Sequence, residues 1–334
     1  MPPVRPTPTS PWPLALVMTG LAAVFIPVSS VYLRRYALSI PAAIGIFVCF
    51  LLLCFYVIAP AISAGRTLLS TALDRRYKDV VLILLLLLPY LIYAAGTEDF
   101  RWAAFVRLLA IPLPVLLIYG LFPSGDASQF TVQDALVSVW LVIIVLFHEF
   151  NGIWNVPRNL DFIARLFIVS LGVFCWTSVR PVPALGYTLN LSKRALKPAL
   201  TNLIFFAALA IPAGLAIGFT SWNPRWHGST AFLLDLLEIF LFIAILEELF
   251  FRGFLQNLLS NTLGSWWRGQ LLVSCVFGLF HILHAPFPNW RYVILASIAG
   301  WFYGSAYRES GSIFSSAFVH AMVDTLWRTF FTKT

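Results

Sequence analysis

The sequence predicts an all-α protein, a polytopic transmembrane bundle of about ten or eleven helices. Three observations carry that expectation. Of 334 residues, 60% are hydrophobic and only 11% are charged, whereas an ordinary soluble domain carries roughly 25% charged residues. So few charges cannot cover one soluble globule, let alone the two domains that this length would otherwise suggest. Long runs without charge recur along the chain, and about 20 such residues cross a bilayer core as a helix. The runs are continuous rather than alternating, which excludes a transmembrane β-barrel.

The elements follow in order. Residues 1–11 are proline-rich, lack an apolar run and read as a short disordered tail. A signal peptide is not expected, because the apolar stretch that follows is long and has no small-residue cleavage site. The expected spans of an amino-terminal bundle over 12–177 are Trp12 to Leu33, Ile40 to Ile62, Val80 to Ala95, Ala103 to Leu121, Ala135 to Phe147 and Phe162 to Trp176. A polar, basic linker over 178–199 separates it from a second transmembrane domain, 200–334. There the spans are Leu200 to Phe219, Ala231 to Phe251, Leu271 to Leu283, Tyr292 to Ala306 and Ile313 to Phe331. Several fall short of the bilayer thickness and are expected to extend into their flanks, tilt or re-enter. Lys and Arg in the loops give a mixed orientation signal that favours a cytoplasmic amino terminus.

The formal charge of +8 does not indicate nucleic acid. Its basic residues sit between apolar runs, as Arg34-Arg35, Arg75-Arg76 and Lys193-Arg194 do, which suits helix ends against anionic membrane lipid. Cys49, Cys54, Cys175 and Cys275 all lie inside apolar runs without metal-ligand spacing and read as small hydrophobes.

Ionisable residues inside a membrane are costly and are kept where they pair or work. They concentrate in the carboxy-terminal domain. Glu248 and Arg252 are four apart and share a helix face, so they can pair; Glu247 is turned about 100° away and is free for another partner. His281 and His284 are three apart, expected on one helical face, with Gly278 just before them to admit a neighbouring helix. His284 precedes Ala285-Pro286 at the membrane edge, so His281 is the better candidate. His320 and Asp324 present an imidazole and a carboxylate four apart on another helix. Each cluster alone has a structural reading: a snorkelling Arg, a helix-end hydrogen bond, a polar pair joining two helices. Convergence on one polar cavity explains all three together, with bases to activate water and donors to stabilise an oxyanion. There is no Gly-x-Ser-x-Gly sequence and no cysteine set beside a histidine, so water is the expected nucleophile.

Glu247-Glu248-x-x-x-Arg252, Phe277-x-x-x-His281 and His320-x-x-x-Asp324, in this order, resemble the motifs of the CAAX prenyl protease and bacteriocin-processing (CPBP, or ABI) family of intramembrane glutamic endopeptidases. The stretch from Gly300 to Ile313, with its Ser310-Gly311-Ser312 turn, is also similar, and the resemblance covers roughly Leu200 to Phe331. It implies that Glu247 and His281 activate the attacking water, that Glu248 and Arg252 orient and neutralise the site, and that His320 with residue 324 forms the oxyanion hole. The family's asparagine is here Asp324, which when ionised cannot donate to an oxyanion and is expected instead to hold His320 in its tautomer and orientation. The resemblance implies no cofactor and no metal. It also implies a protein or peptide substrate, lipidated or membrane-embedded, and a multi-pass protein of the bacterial plasma membrane.

Other readings stay open at this point: zinc held by Glu and His, although no His-Glu-x-x-His occurs, a proton-linked transporter, or a catalytically silent scaffold. The remaining polar groups receive structural readings. Asp235 and Glu238 are placed near the opposite interface, His148-Glu149 at an interface, and Trp222, Trp226, His227, Trp266, Trp267 and Trp290 as interfacial anchors. Gly300 and Gly304 form a small-x-x-x-small pair for close helix packing.

Overall fold

Within hydrocarbon a backbone must satisfy its own polar groups, and the apolar runs accordingly fold as helices. The computed structural model describes residues 10–73, 77–122, 125–157, 160–189 and 193–333. Most of the expected tail, Arg75-Arg76 and part of the expected linker lie outside the described residues. The chain divides into two compact units, one comprising Met1–Ser124 and Thr131–Pro181, the other Gly125–Phe130 and Val182–Thr334.

The first unit contains α1 (Trp12–Arg35), α2 (Ile40–Ile58), α3 (Ser63–Leu73), α4 (Lys78–Thr97), α5 (Trp102–Ala110), α6 (Leu113–Leu121), α7 (Val132–Leu146) and α8 (Asp161–Phe174). The expected span from Ala103 to Leu121 is broken into α5 and α6 at Ile111-Pro112, where proline supplies no amide hydrogen to continue the first helix. α2 and α4 approach until a methyl group on Gly45 would lie 2.9 Å from the Gly96 Cα, so only glycine fits there. Tyr56, Tyr90, Tyr93, Phe167, Phe174 and Trp176 are buried in this unit.

Asp134 and Arg180, 0% and 3% exposed, form a buried ion pair with Nη2 to Oδ2 at 3.2 Å. Asp134 also accepts from the Tyr119 hydroxyl at 2.8 Å, and from the Thr131 amide and hydroxyl at 2.8 Å each, closing a capping box at the start of α7.

The second unit contains α9 (Lys193–Ala216), strand β1 (Thr220–Trp222), α10 (Ser229–Thr262), α11 (Trp266–Leu279), α12 (Trp290–Ser310), α13 (Ile313–Phe330) and strand β2 (Phe331–Lys333). β1 and β2 pair antiparallel, with Ser221 opposite Thr332. Residues 182–189 are stitched onto these helices: Ile313 N bonds Gly186 O at 2.9 Å, the Ser312 hydroxyl bonds Thr188 O at 2.7 Å, and the Tyr307 hydroxyl bonds Ala184 O at 3.0 Å. Small residues let α11 and α12 meet as expected. A methyl on Gly300 would lie 3.1 Å from the Ser274 Cα, and one on Gly278 would clash with Ser297.

Among the described residues, seven helices are long and apolar enough to cross a membrane, including all of α1, α4 and α10. α7 is also apolar but only 15 residues long. Of the expected spans at 271–283, 292–306 and 313–331, the first is helical only to 279 and the last to 330; α11 has only 14 residues, and α12 and α13 carry the polar groups of the site. The protein is an integral, multi-pass, helical membrane protein.

Candidate active site

α10 carries the two glutamates on an unusual winding. It is α-helical over Ser229–Ile239, π-helical over Phe240–Ala244, α-helical over Ile245–Glu248, π-helical over Leu249–Gln256 and α-helical again over Asn257–Thr262. Each wide turn re-aims the side chains that follow, and such windings favour functional positions. Glu247 and Glu248 occupy the one α-turn between the two.

Glu248 is fully buried and saturated. Arg252 Nε donates to its Oε2 at 2.9 Å, the pairing that the four-residue spacing predicts. The Ser316 hydroxyl hydrogen-bonds the same oxygen, and His320 Nδ1 lies 3.0 Å from Oε1. Removing two charges from water is expensive, and a buried pair survives where further contacts compensate. Here Arg252 Cζ lies 5.1 Å from the Phe277 ring, 5.8 Å from Phe251 and 5.9 Å from Tyr303, so three π-faces surround the cation.

His320, 4% exposed, is held as tightly. Its ring stacks on Tyr303, centroids 4.7 Å apart at 14°, and meets Phe277 edge-on at 5.8 Å. An ionised carboxylate only accepts, so Nδ1 is the donor to Glu248, and Nε2 is turned toward Asp324 Oδ2 at 3.6 Å and Glu247 Oε2 at 3.9 Å. The expected His320–Asp324 pair is thus present as an ion pair at Nε2, while the closer contact, at Nδ1, is made by Glu248. Glu247 and Asp324 keep 34% and 42% of their side chains exposed, in contrast to the sealed Glu248.

His281 departs from expectation. α11 ends at Leu279, so His281 and His284 lie in the turn beyond it and not on a helical face. The turn still brings them together: the rings stack at 5.6 Å and 17°, with Tyr292 4.6 Å from His281. His281 Nδ1 lies 2.9 Å from the Phe277 carbonyl, which can only accept, so Nδ1 holds a proton and Nε2 carries the lone pair. Phe277 stands between the two imidazoles, 5.0 Å from His281 and 5.8 Å from His320. Among the described residues no hydrogen bond or ion pair joins His281 to Glu247; the imidazole nearest Glu247 is His320.

Ser316 and Tyr303, to which the sequence assigns no role, complete the site together with Phe277 of the Phe277-x-x-x-His281 motif. Ser316 lies four residues before His320, a spacing that places both on one face of α13. Asp235 pairs instead with Arg328 at 3.4 Å on the exposed surface. Among the described residues no three His, Cys, Asp or Glu side chains are grouped to hold a metal ion.

Fold and site together define a multi-pass helical membrane protein with a Glu–Arg–His–Asp cluster built inside its carboxy-terminal unit. Residues 229–326 match the family model described as type II CAAX prenyl endopeptidase Rce1-like, in agreement with the CPBP resemblance. All six of the expected site residues, Glu247, Glu248, Arg252, His281, His320 and Asp324, fall within the matched segment. No curated protein and no solved structure matches the chain.

Proposed function

We propose that this protein is an intramembrane endopeptidase that hydrolyses peptide bonds in or near the bilayer with water activated by Glu247 and His281. The observation that carries this reading is the division between adjacent glutamates. Glu248 is sealed and spends both oxygens on Arg252, Ser316 and His320, whereas Glu247 remains accessible beside the same imidazole.

In the proposed mechanism, Glu247 takes a proton from water placed between it and His281 Nε2, and the water oxygen bonds to the scissile carbonyl carbon. His320, with a carboxylate at either nitrogen, is suited to carry a proton on both, so that Nε2–H donates to the developing oxyanion. Glu248 and Arg252 keep that ring in place. Collapse breaks the C–N bond, and Glu247 returns its proton to the departing amine, leaving a carboxylic acid and an amine.

The substrate's cleavable segment is lipidated or membrane-embedded, a reading supported by an apolar pocket of the same unit lined by Phe206, Ala210, Leu295, Val323 and Trp327. The bacterial plasma membrane is part of the reading on the resemblance alone.

The test compares membrane fractions from cells carrying the wild type and Glu247→Gln. Turnover should fall by about 10²–10⁴-fold in a variant that unfolds at the wild-type temperature, and at least one membrane precursor should accumulate uncleaved. A scaffold would show no change in any precursor, and a transporter would show altered coupling with every precursor processed. Either result rejects the endopeptidase.

A further inference from the structure

Behind the Glu248–His320 pair lies a second group of buried polar side chains. Arg252 and Gln256 follow Glu248 along α10 at four-residue spacing, and Gln270 comes from the first turns of α11. Arg252 and Gln270 are 0% exposed and Gln256 is 4% exposed. Each uses only part of its hydrogen-bonding capacity. Arg252 spends Nε on Glu248, while Nη1 and Nη2 are buried with no partner among the described residues. Gln256 Nε2 donates to Gly304 O at 3.2 Å, and Gln270 Nε2 donates to Trp301 O at 3.0 Å and to the Ser305 hydroxyl at 2.8 Å. The Oε1 atom of each glutamine is buried and meets no donor.

Exchanging the amide atoms does not cure this, because Gly304 O and Trp301 O accept only and require the nitrogen where it stands. The two glutamines adjoin at Gly304, where an added methyl would lie 2.5 Å from Gln256 Oε1 and 3.0 Å from Gln270 Cγ. Unmet N–H groups of Arg252 therefore stand four residues along α10 from Gln256, and the unmet glutamine oxygens belong to two side chains that meet at Gly304, groups with opposite needs. Buried polar groups are almost always paired, with protein or with ordered water, and complementary groups that do not reach each other are the setting for a bridging water.

We propose that Arg252, Gln256 and Gln270 form a resident water site, and that the two glutamines act through it as positioning residues for the guanidinium that holds Glu248 and His320. The water site stands on its own; the positioning role rests on the endopeptidase reading. Without the bridge the guanidinium is tied only through Nε and by aromatic faces, which leave its plane free to rock.

The test begins with an experimental structure of the full chain in detergent, at a resolution that shows water. Density is expected within about 3 Å of an Arg252 Nη atom and of Oε1 of Gln256 or Gln270. Gln256→Met and Gln270→Met keep side-chain length and remove the acceptor. With a quenched fluorescent peptide bearing an isoprenylated cysteine, each should lower kcat about tenfold at unchanged KM. A dry site in which both glutamine oxygens meet protein donors overturns the proposal, as do Met variants with wild-type kcat. If the wild type cleaves no peptide, the endopeptidase reading falls, and the density still decides the water site.

Discussion

Two buried carboxylate–guanidinium pairs, one in each unit, show how the same chemistry serves different ends. Asp134–Arg180 is closed: Asp134 caps α7, takes the Tyr119 hydroxyl and is bonded at both oxygens by Arg180. Glu248–Arg252 is equally buried but open at its ends. Its carboxylate extends to His320, which in turn faces the accessible Glu247 and Asp324, and its guanidinium has no protein partner at Nη1 or Nη2 among the described residues. Saturation marks the first as a fastening between parts of a fold. Unspent valence beside an accessible carboxylate suits the second to the proposed chemistry, because a group held by one partner can act on another.

The largest effects should come from cutting each pair once. Arg180→Ala and Arg252→Ala each strand a buried carboxylate, which costs about 3–5 kcal/mol, and both should lower the unfolding temperature in detergent. Removing both partners separates the pairs. Asp134→Leu with Arg180→Met should cost no more than about 2 kcal/mol, chiefly the lost helix cap, and leave peptide turnover near the wild-type level. Glu248→Met with Arg252→Met should fold comparably but lose at least about a hundredfold in turnover, since His320 no longer has its acceptor. Equal turnover in the two double variants breaks the distinction.

A smaller effect tests the ring itself. His320→Ala should abolish turnover, whereas Asp324→Asn should retain most of it, because the closer contact of Glu248 at Nδ1 is kept. Equal, complete loss in both would refute this division of labour; the steady-state kcat of each purified variant decides it.

How much of this was legible in the sequence follows from the range of each interaction. Glu248–Arg252 is local to one helix, and spacing alone reveals it. Asp134–Arg180 joins residues 46 apart, and nothing local to either residue marks the other as its partner. His320 finds Glu248 across 72 residues, whereas its ion pair with Asp324, four residues on in the same helix, is the one that spacing reveals. The π-turns of α10 have no local spelling, because tertiary packing sets a helix's winding. The helix end before His281 was hinted at by Ala285-Pro286, but the stop falls several residues earlier, at Leu279. The apolar runs were legible because hydrocarbon permits them few structures.

The smallest expected effect comes from a third ion pair that shares neither property. Arg328 Nη1 lies 3.4 Å from Asp235 Oδ1 and 3.9 Å from Glu238 Oε2, with all three side chains 37–50% exposed. Solvent and headgroups screen such a pair, the side chains lose rotamer freedom in forming it, and its worth is about 0–1 kcal/mol. Arg328→Gln should therefore shift the unfolding temperature barely, change kcat by less than about twofold, and lose what little effect it has as salt is raised. A loss of activity comparable to that of Glu248→Met with Arg252→Met would mean that burial and unspent valence are not what separates working charges from fastening ones in this protein.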